Sequence, residues 1–314
     1  MSASTLGALE RLDLLAADRG IELRVDAPLA PLTTLRVGGV ADRLASPSSL
    51  EDLVTLLQLA VEAGTPVFML GKGSDIVVAD AGVRGLVIRT RADEVSIVGT
   101  RLRADAGASM TALAKRCARD GLAGFDWAIS IPGSFGGAVW ANAGAHGGEM
   151  AGVLRDVDAF DPADGRRRTL DAAECAFGYR DSRFKHSEEI VLGGTIELER
   201  GDAAEITALV DGHQAHRRAT QPLADQNAGS VFRNPPDDHA GRLIEAAGLK
   251  GHRIGTAQVS ELHANFIVTD KGGARAADVR ALGDHVRETV AERFGIDLRY
   301  EIEFVGDWLD GGGA

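Results

Sequence analysis

The chain has 314 residues, 45% of them hydrophobic and 25% charged, the balance of a globular protein with room for two or three compact units. Lysine plus arginine total 34 against 46 acidic residues, a formal charge of −12 that argues against a nucleic-acid partner and leaves room for an anionic small molecule only where arginines cluster. No stretch approaches a membrane span. The opening MSASTLGALERLDLL carries acids where a signal peptide would carry lysines, and Cys117 and Cys175 stand far apart with no ligand-spaced neighbour. A cytoplasmic, reduced protein with no metal and no disulfide is expected.

Leu6, Leu9, Leu12 and Leu15 mark one face of a first helix that stops near Gly20. Ser48 with Glu51 reads as the capping box of a second helix, which runs through Leu53, Val54, Leu57 and Val61 to Gly64. Short strands are expected at 66–70, 86–90, 95–98 and 102–106, and Ser109 is placed to cap a helix ending near Gly121. Strands at 153–160 and 190–198 precede a helix from about Ala203 to Arg217. Pro222, Pro235 and Pro236 mark a loop-rich linker. Helices near 241–247 and 276–294 bracket a strand at 265–269. A last alternating strand is expected at 298–305, with Glu301 and Glu303 on one face and Ile302 and Phe304 on the other. The tail DWLDGGGA is expected to fray.

Between Ile131 and Met150 the chain reads IPGSFGGAVWANAGAHGGEM, offering a ligand little except backbone. Such a run suits the close approach of main-chain N–H groups to a phosphate or a flat ring, and it equally suits a tightly packed turn. A second glycine loop, Gly71-Lys72-Gly73-Ser74-Asp75, follows a strand but lacks the last glycine of a Rossmann fingerprint, and no Walker A sequence occurs. Two loops, 71–75 and 132–148, could therefore share one pyrophosphate through backbone amides.

The segments LTTLRVGGVAD, LGKGSDIVV, IPGSFGGAVWANAGAHGGEM, FGYRDSRFK, NAGSVFRNP, AGRLIEAAGLKGHRIGTAQVSELHANFIV and LRYEIEFVG, in that order from about Leu32 to Gly306, resemble the motifs of the UDP-N-acetylenolpyruvoylglucosamine reductase family. The resemblance implies an α+β fold: a PCMH (vanillyl-alcohol-oxidase-like) FAD-binding fold of two subdomains plus a smaller α+β substrate-binding domain. Boundaries are expected at 1–30 for an N-terminal helical segment, 31–200 for the FAD domain (31–92 and 93–200), 201–307 for the substrate domain and 308–314 for the tail. It further implies non-covalent FAD, NADPH as reductant and UDP-N-acetylglucosamine enolpyruvate as substrate, in peptidoglycan precursor synthesis. A monomer is expected.

Hydride added to the terminal carbon of an enolpyruvyl ether drives charge into the adjacent carboxylate. The site then needs a fixed cation, a hydrogen-bonding acid and a proton donor over the inner carbon. Arg180 in FGYRDSRFK can grip a carboxylate through two parallel hydrogen bonds; by residues alone a surface arginine beside Arg183 and Lys185 is the plainer reading, and the resemblance is what favours the cation. By resemblance Ser230 is the proton donor and Glu301 the catalytic acid; without it, a turn serine and a solvated strand face describe them as well. The resemblance assigns the flavin to Gly71, Lys72, Gly73, Ser74, Asp75, Gly107, Ile131, Pro132, Gly133, Ser134, Gly136, Gly137, Asn142, Ala143 and Gly144. The substrate goes to Tyr179, Phe232, Arg233, Asn234 and His263. The short link from Arg180 to Ser230 resembles the family form without a lid tyrosine. Departures are Asp75 in place of asparagine, the Ala128-Ile129-Ser130 run, which could crowd the flavin, and Thr220 in place of a lysine, which would pass a diphosphate contact to Arg217 or Arg218. Two other functions stay open: a flavin oxidase of the same fold, disfavoured because the first glycine loop has no histidine for covalent attachment, and a non-catalytic nucleotide-binding module.

Overall fold

The computed structural model describes residues 7–308, which fall into two compact units. One holds the described residues up to Val25, Arg43–Gly71 and Gly85–His216; the other holds Asp26–Asp42, Lys72–Arg84 and the chain from Arg217 onward. Leu6 and most of the tail lie outside the described residues.

The first unit opens with α1 (Ala8–Asp18), whose Leu12 and Ala16 are buried. In chain order β1 (Arg24–Pro28) and β2 (Val40–Ala45), which include residues of the second unit, precede α2 (Leu50–Ala63), with Leu53, Leu56, Leu57 and Leu59 buried. Each such leucine contributes about 1.5–3 kcal/mol on leaving water. The cap of α2 is Ser49, one residue later than expected: its hydroxyl accepts the Asp52 N–H at 3.1 Å, and Gly64 closes the helix at φ 67°. The four-stranded sheet runs in the order β1-β2-β5-β3, with β3 (Val67–Leu70) and β5 (Val83–Arg89) parallel, and β4 (Ile76–Val78) lying between them in sequence.

A five-stranded antiparallel sheet follows, built from β6 (Val95–Val98), β7 (Arg101–Asp105), β8 (Leu154–Asp161), β9 (Arg166–Asp171) and β10 (Ile190–Glu197) in the order β9-β8-β10-β7-β6. Leu102, Ala104, Val157, Ala159 and Ile196 join a core with α3 (Met110–Arg119) and α4 (Phe135–Ala141). Elsewhere on the sheet Arg103 pairs with Asp158, which also accepts from Thr169, while Phe160 and Leu192 join a second core cluster with α2. Ser109 sits at the α3 cap, but its hydroxyl meets Thr111 rather than a helix amide. The strands β1, β2, β4 and β9 were not expected. Arg166–Asp171 is an edge strand with Leu170 its only buried residue, so it carries no alternating apolar signal. The helix α5 (Ala203–Thr220) starts on Asp202, whose carboxylate accepts the N–H groups of Ala204 and Glu205.

In the second unit α6 (Ala240–Ala246) and α7 (Ala276–Phe294) flank a small antiparallel sheet. Its strands β11 (Ala257–Val259) and β12 (Ile267–Thr269) are extended on either side by the pairs Arg253–Ile254 and Gln226–Asn227. Val279, Leu282, Val286 and Val290 give α7 its buried stripe, and the Asp80 carboxylate accepts the first two amides of that helix, from Ala276 and Ala277. The expected last strand is shorter: only β13 (Glu303–Val305) pairs, parallel to β4, while 298–302 follow another path. Glu301 is thus not on an alternating strand. The expected strand at 265–269 begins at Ile267, because the Asn265 side chain takes over backbone hydrogen bonding there. The architecture is α+β, as expected.

Candidate active site

The glycine run is not one loop. Its middle is α4, with Ser134 as N-cap accepting the Gly137 N–H at 3.4 Å and Asn142 closing the helix at φ 44°. Phe135, Ala138, Val139 and Met150 belong to the core, so the packed alternative holds for the middle of the run. The amides of Phe135 and Gly136 donate to the carbonyls of Ala108 and Ala106, that of Gly107 to Ala92, and that of Ala143 to Ala138. The amides of Gly136 and Gly137 are therefore engaged inside the protein. Among the described residues, those of Gly133 and Ser134 just ahead of the helix meet no protein acceptor, and the same holds for Lys72, Gly73 and Ser74 in the other loop. Gly73 sits at φ 63°, and a Cβ there would lie 2.5 Å from the Leu32 carbonyl. Unengaged amides around a glycine at positive φ, as at 72–74, are anion-binding geometry and suit a phosphate; the pair at 133–134 offers free donors without that backbone conformation. Ile129 is 1% exposed and packs in the core rather than toward a ligand. Asp75 offers its main-chain carbonyl to the Glu303 N–H.

Asn142, 1% exposed, ties this run to the FGYRDS segment. Its Nδ2 donates to the Gly178 carbonyl at 2.8 Å and its Oδ1 accepts the Ala151 N–H at 2.9 Å. Gly178 and Asp181 exchange both backbone hydrogen bonds, so Tyr179 and Arg180 form the corner of a tight turn with Arg180 at φ 55°. One guanidinium nitrogen of Arg180 donates to the Gly144 carbonyl at 2.6 Å, and the group lies 5.1 Å from the centre of the Tyr179 ring, which is 54% exposed. In this unit, then, Asn142, Gly144, Tyr179 and Arg180 come together around one turn.

In the second unit Ser230, Asn234 and His263 line one cleft, and the backbones of Arg233 and Glu301 lie in the hydrogen-bonded segments beside the serine. Val231 N donates to the Asn265 carbonyl, and the Asn265 side chain brackets Phe232, accepting its N–H at 3.0 Å and donating to its carbonyl at 2.8 Å. On the other side Glu301 N donates to the Val231 carbonyl at 2.8 Å and Arg233 N to the Arg299 carbonyl at 2.9 Å. Ser230 lines a cleft of about 410 Å³ with Asn234, Arg242, His263 and Asn265, and its hydroxyl has no partner among the described residues. Burial pushes the His263 imidazole below its usual range, and its Nδ1 accepts the Asn265 N–H. Arg233 Nε is buried without a partner among the described residues, an orphan donor suited to an anion. Phe232 is 1% exposed and stacked on Tyr300, so its ring belongs to the core. A second cleft of about 770 Å³ is lined in part by Arg218, Gln221, Arg253 and Lys271. Asn265, the clamp of the serine segment, escaped sequence reasoning; an amide between His263 and an apolar strand was its only signal.

Both cysteines are buried and free, and burial pushes the thiol of Cys117 up to about 12 and that of Cys175 to about 11. No helix among the described residues is long and apolar enough to cross a membrane.

Residues 41–171 match the family model of an FAD binding domain, and residues 221–305 match that of UDP-N-acetylenolpyruvoylglucosamine reductase, C-terminal domain. Fold and site together define an FAD-dependent oxidoreductase. UDP-N-acetylenolpyruvoylglucosamine reductase 2 of Symbiobacterium thermophilum is 45% identical over 95% of this chain and 96% of its own length, and the reductase of Moorella thermoacetica is 45% identical over 92% and 96%. The crystal structure of the Thermus caldophilus reductase superposes with a TM-score of 0.77 at 35% identity, covering 90% of this chain and 98% of that one. The chain belongs to the UDP-N-acetylenolpyruvoylglucosamine reductase family.

Proposed function

We propose that this protein reduces the enolpyruvyl group of UDP-N-acetylglucosamine enolpyruvate to give UDP-N-acetylmuramate, with NADPH as reductant. When bound, FAD supplies a non-covalent carrier that takes hydride from NADPH and delivers it to the methylene carbon of the substrate. Lys72–Ser74 and the amides of Gly133 and Ser134 would hold its phosphates. Arg180, steadied by Gly144 and by the Asn142 clamp, neutralises the substrate carboxylate as charge develops on it. Glu301 hydrogen-bonds the resulting enolic species, and Ser230 gives a proton to the inner carbon. Arg233, Asn234 and His263 bind the sugar nucleotide, with Arg217 or Arg218 taking a diphosphate contact in place of a lysine at Thr220. Phe232 contributes through packing. The observation that carries this reading is the direct backbone link from the serine segment to Glu301, beside the orphaned Arg233 Nε.

Only Tyr179 and Tyr300 are tyrosines, and neither lies between Arg180 and Ser230. This supports the form of the family that closes without a lid tyrosine. The same reading makes the protein a cytoplasmic monomer.

The test is the anaerobic visible spectrum of the flavin-loaded protein as NADPH and then UDP-N-acetylglucosamine enolpyruvate are added. Bleaching followed by recovery of colour supports the reductase. Recovery only on admission of oxygen would favour the oxidase, and failure to retain any flavin would favour a binding module. In Ser230→Ala, reduction by NADPH should persist while reoxidation by the nucleotide slows by orders of magnitude; equal rates would remove Ser230 from its role.

A further inference from the structure

We infer that Tyr300 is a positioning residue that fixes the Ser230 hydroxyl against the Glu301 carboxylate, using α7 as its seat; this rests on the reading of those two groups given above. The sheet does not set the register of Glu301, because pairing with β4 begins only at Glu303. What sets it is a single antiparallel bridge between Phe232 and Tyr300, flanked by the hydrogen bonds Glu301 N to Val231 O and Arg233 N to Arg299 O. Phe232 is two residues beyond the serine, and Tyr300 is the residue before the glutamate. Their rings stack with centroids 5.0 Å apart and planes 26° apart, so one aromatic pair spans the two segments.

The pair is seated on α7 through Tyr300, and Arg287 Nε of the same helix also holds the Leu298 carbonyl at 2.9 Å. Tyr300 Oη donates to Asp284 Oδ1 at 2.9 Å, and the ring lies against Gly283, where a Cβ would come 2.5 Å from Oη and 2.9 Å from Cε1. A glycine inside a helix is less favourable than an alanine, and here the absence of a side chain is what lets the phenol reach the helix surface. Arg287 lies over the same ring at 5.3 Å, and Phe304 meets it edge-on at 4.9 Å. Burial, with Asp284 beside it, pushes the phenol's pKa upward, so the hydroxyl remains a donor. The tyrosine is thereby held on the helix, the phenylalanine on the tyrosine, and the serine and glutamate on either side of them.

The decisive variants are Gly283→Ala, which wedges the ring off its seat, and Tyr300→Phe, which removes one oxygen and keeps the stack. In anaerobic stopped-flow measurements on the FAD-loaded enzyme, reduction by NADPH should stay within twofold of wild type in both. Reoxidation by UDP-N-acetylglucosamine enolpyruvate should slow at least tenfold in Gly283→Ala and a few fold in Tyr300→Phe, with the saturation constant for the nucleotide little changed. A general loss of packing would instead move both half-reactions or the saturation constant. Should Gly283→Ala fail to fold, Tyr300→Phe decides alone. Wild-type reoxidation rates in the folded variants, with Ser230→Ala slow in the same assay, would overturn the role of Tyr300 alone. If the wild type is not reoxidised by the nucleotide, or Ser230→Ala is as fast as wild type, the proposed reaction fails and this inference with it.

Discussion

Asn142 shows how much of the 178–181 turn rests on one buried side chain. Its amide satisfies Gly178 and Ala151 at once, and its backbone occupies the left-handed region, which asparagine adopts at less cost than alanine. Asn142→Ala should therefore cost about 2 kcal/mol or more in a urea titration, from two buried groups left unsatisfied. Asn142→Gly, which relieves the backbone alone, should cost about 1 kcal/mol less than the alanine variant. Both should loosen the 178–181 turn that carries Arg180. Arg180→Lys keeps the charge but loses the planar fork, and a fall in turnover of about a hundredfold is expected from steady-state rates. At this scale the sequence told residue types and motif order, and it offered Arg180, Ser230 and Glu301 as candidates through resemblance alone. Partners were not, because the acceptor of Asn142 is 36 residues away and Asn265 reaches back across 33 to Phe232.

Elements were legible wherever a periodic apolar face coincided with a stop signal. The helix α7 was expected and found over 276–294, ending at Gly295 with φ 68°. The cap of α2 shows the limit, since adjacent serines offer the same chemistry and only backbone geometry selects Ser49. Ser49→Ala should cost about 1 kcal/mol and lower Tm by about 2–4 °C, whereas Ser48→Ala should be nearly silent. Another element-scale feature ties α5 to the glycine run. His146 stacks on His213 at 3.9 Å, meets His216 edge-on and shares a 2.8 Å hydrogen bond with Ser130, while His213 pairs with Asp126 at 3.0 Å. Burial, then the neighbouring imidazoles, depress the His146 pKa, and burial depresses that of His263. The unfolded chain therefore binds these protons more readily than the folded one. Their contribution to stability is present above the unfolded value of 6.5 and is lost as pH falls through the folded values. Urea midpoints should drop between pH 7.5 and 5.5, and His146→Gln should flatten that slope.

For the molecule as a whole, a ligand that binds only the folded state raises its stability. FAD at about one hundred times its Kd should add about 2.7 kcal/mol, raising Tm by roughly 5–11 °C over the flavin-free protein in a thermal scan. Ordered motifs, a formal charge of −12 and the absence of a long apolar run were enough to name the family and the α+β class from the sequence. Those are properties of residue type and spacing, which the chain carries whether folded or not. The tertiary structure decided what depends on partners distant in sequence. It made the middle of the glycine run a packed helix, left the unengaged amides at 72–74 and 133–134, and gathered residues 26–42 and 72–84 with the chain beyond Arg217. It also took Glu301 off the expected strand and keyed it to Phe232 and α7 through Tyr300. An amide or a carboxylate has the same chemistry in every sequence, but whether it faces a ligand or a carbonyl depends on which segments fold against it.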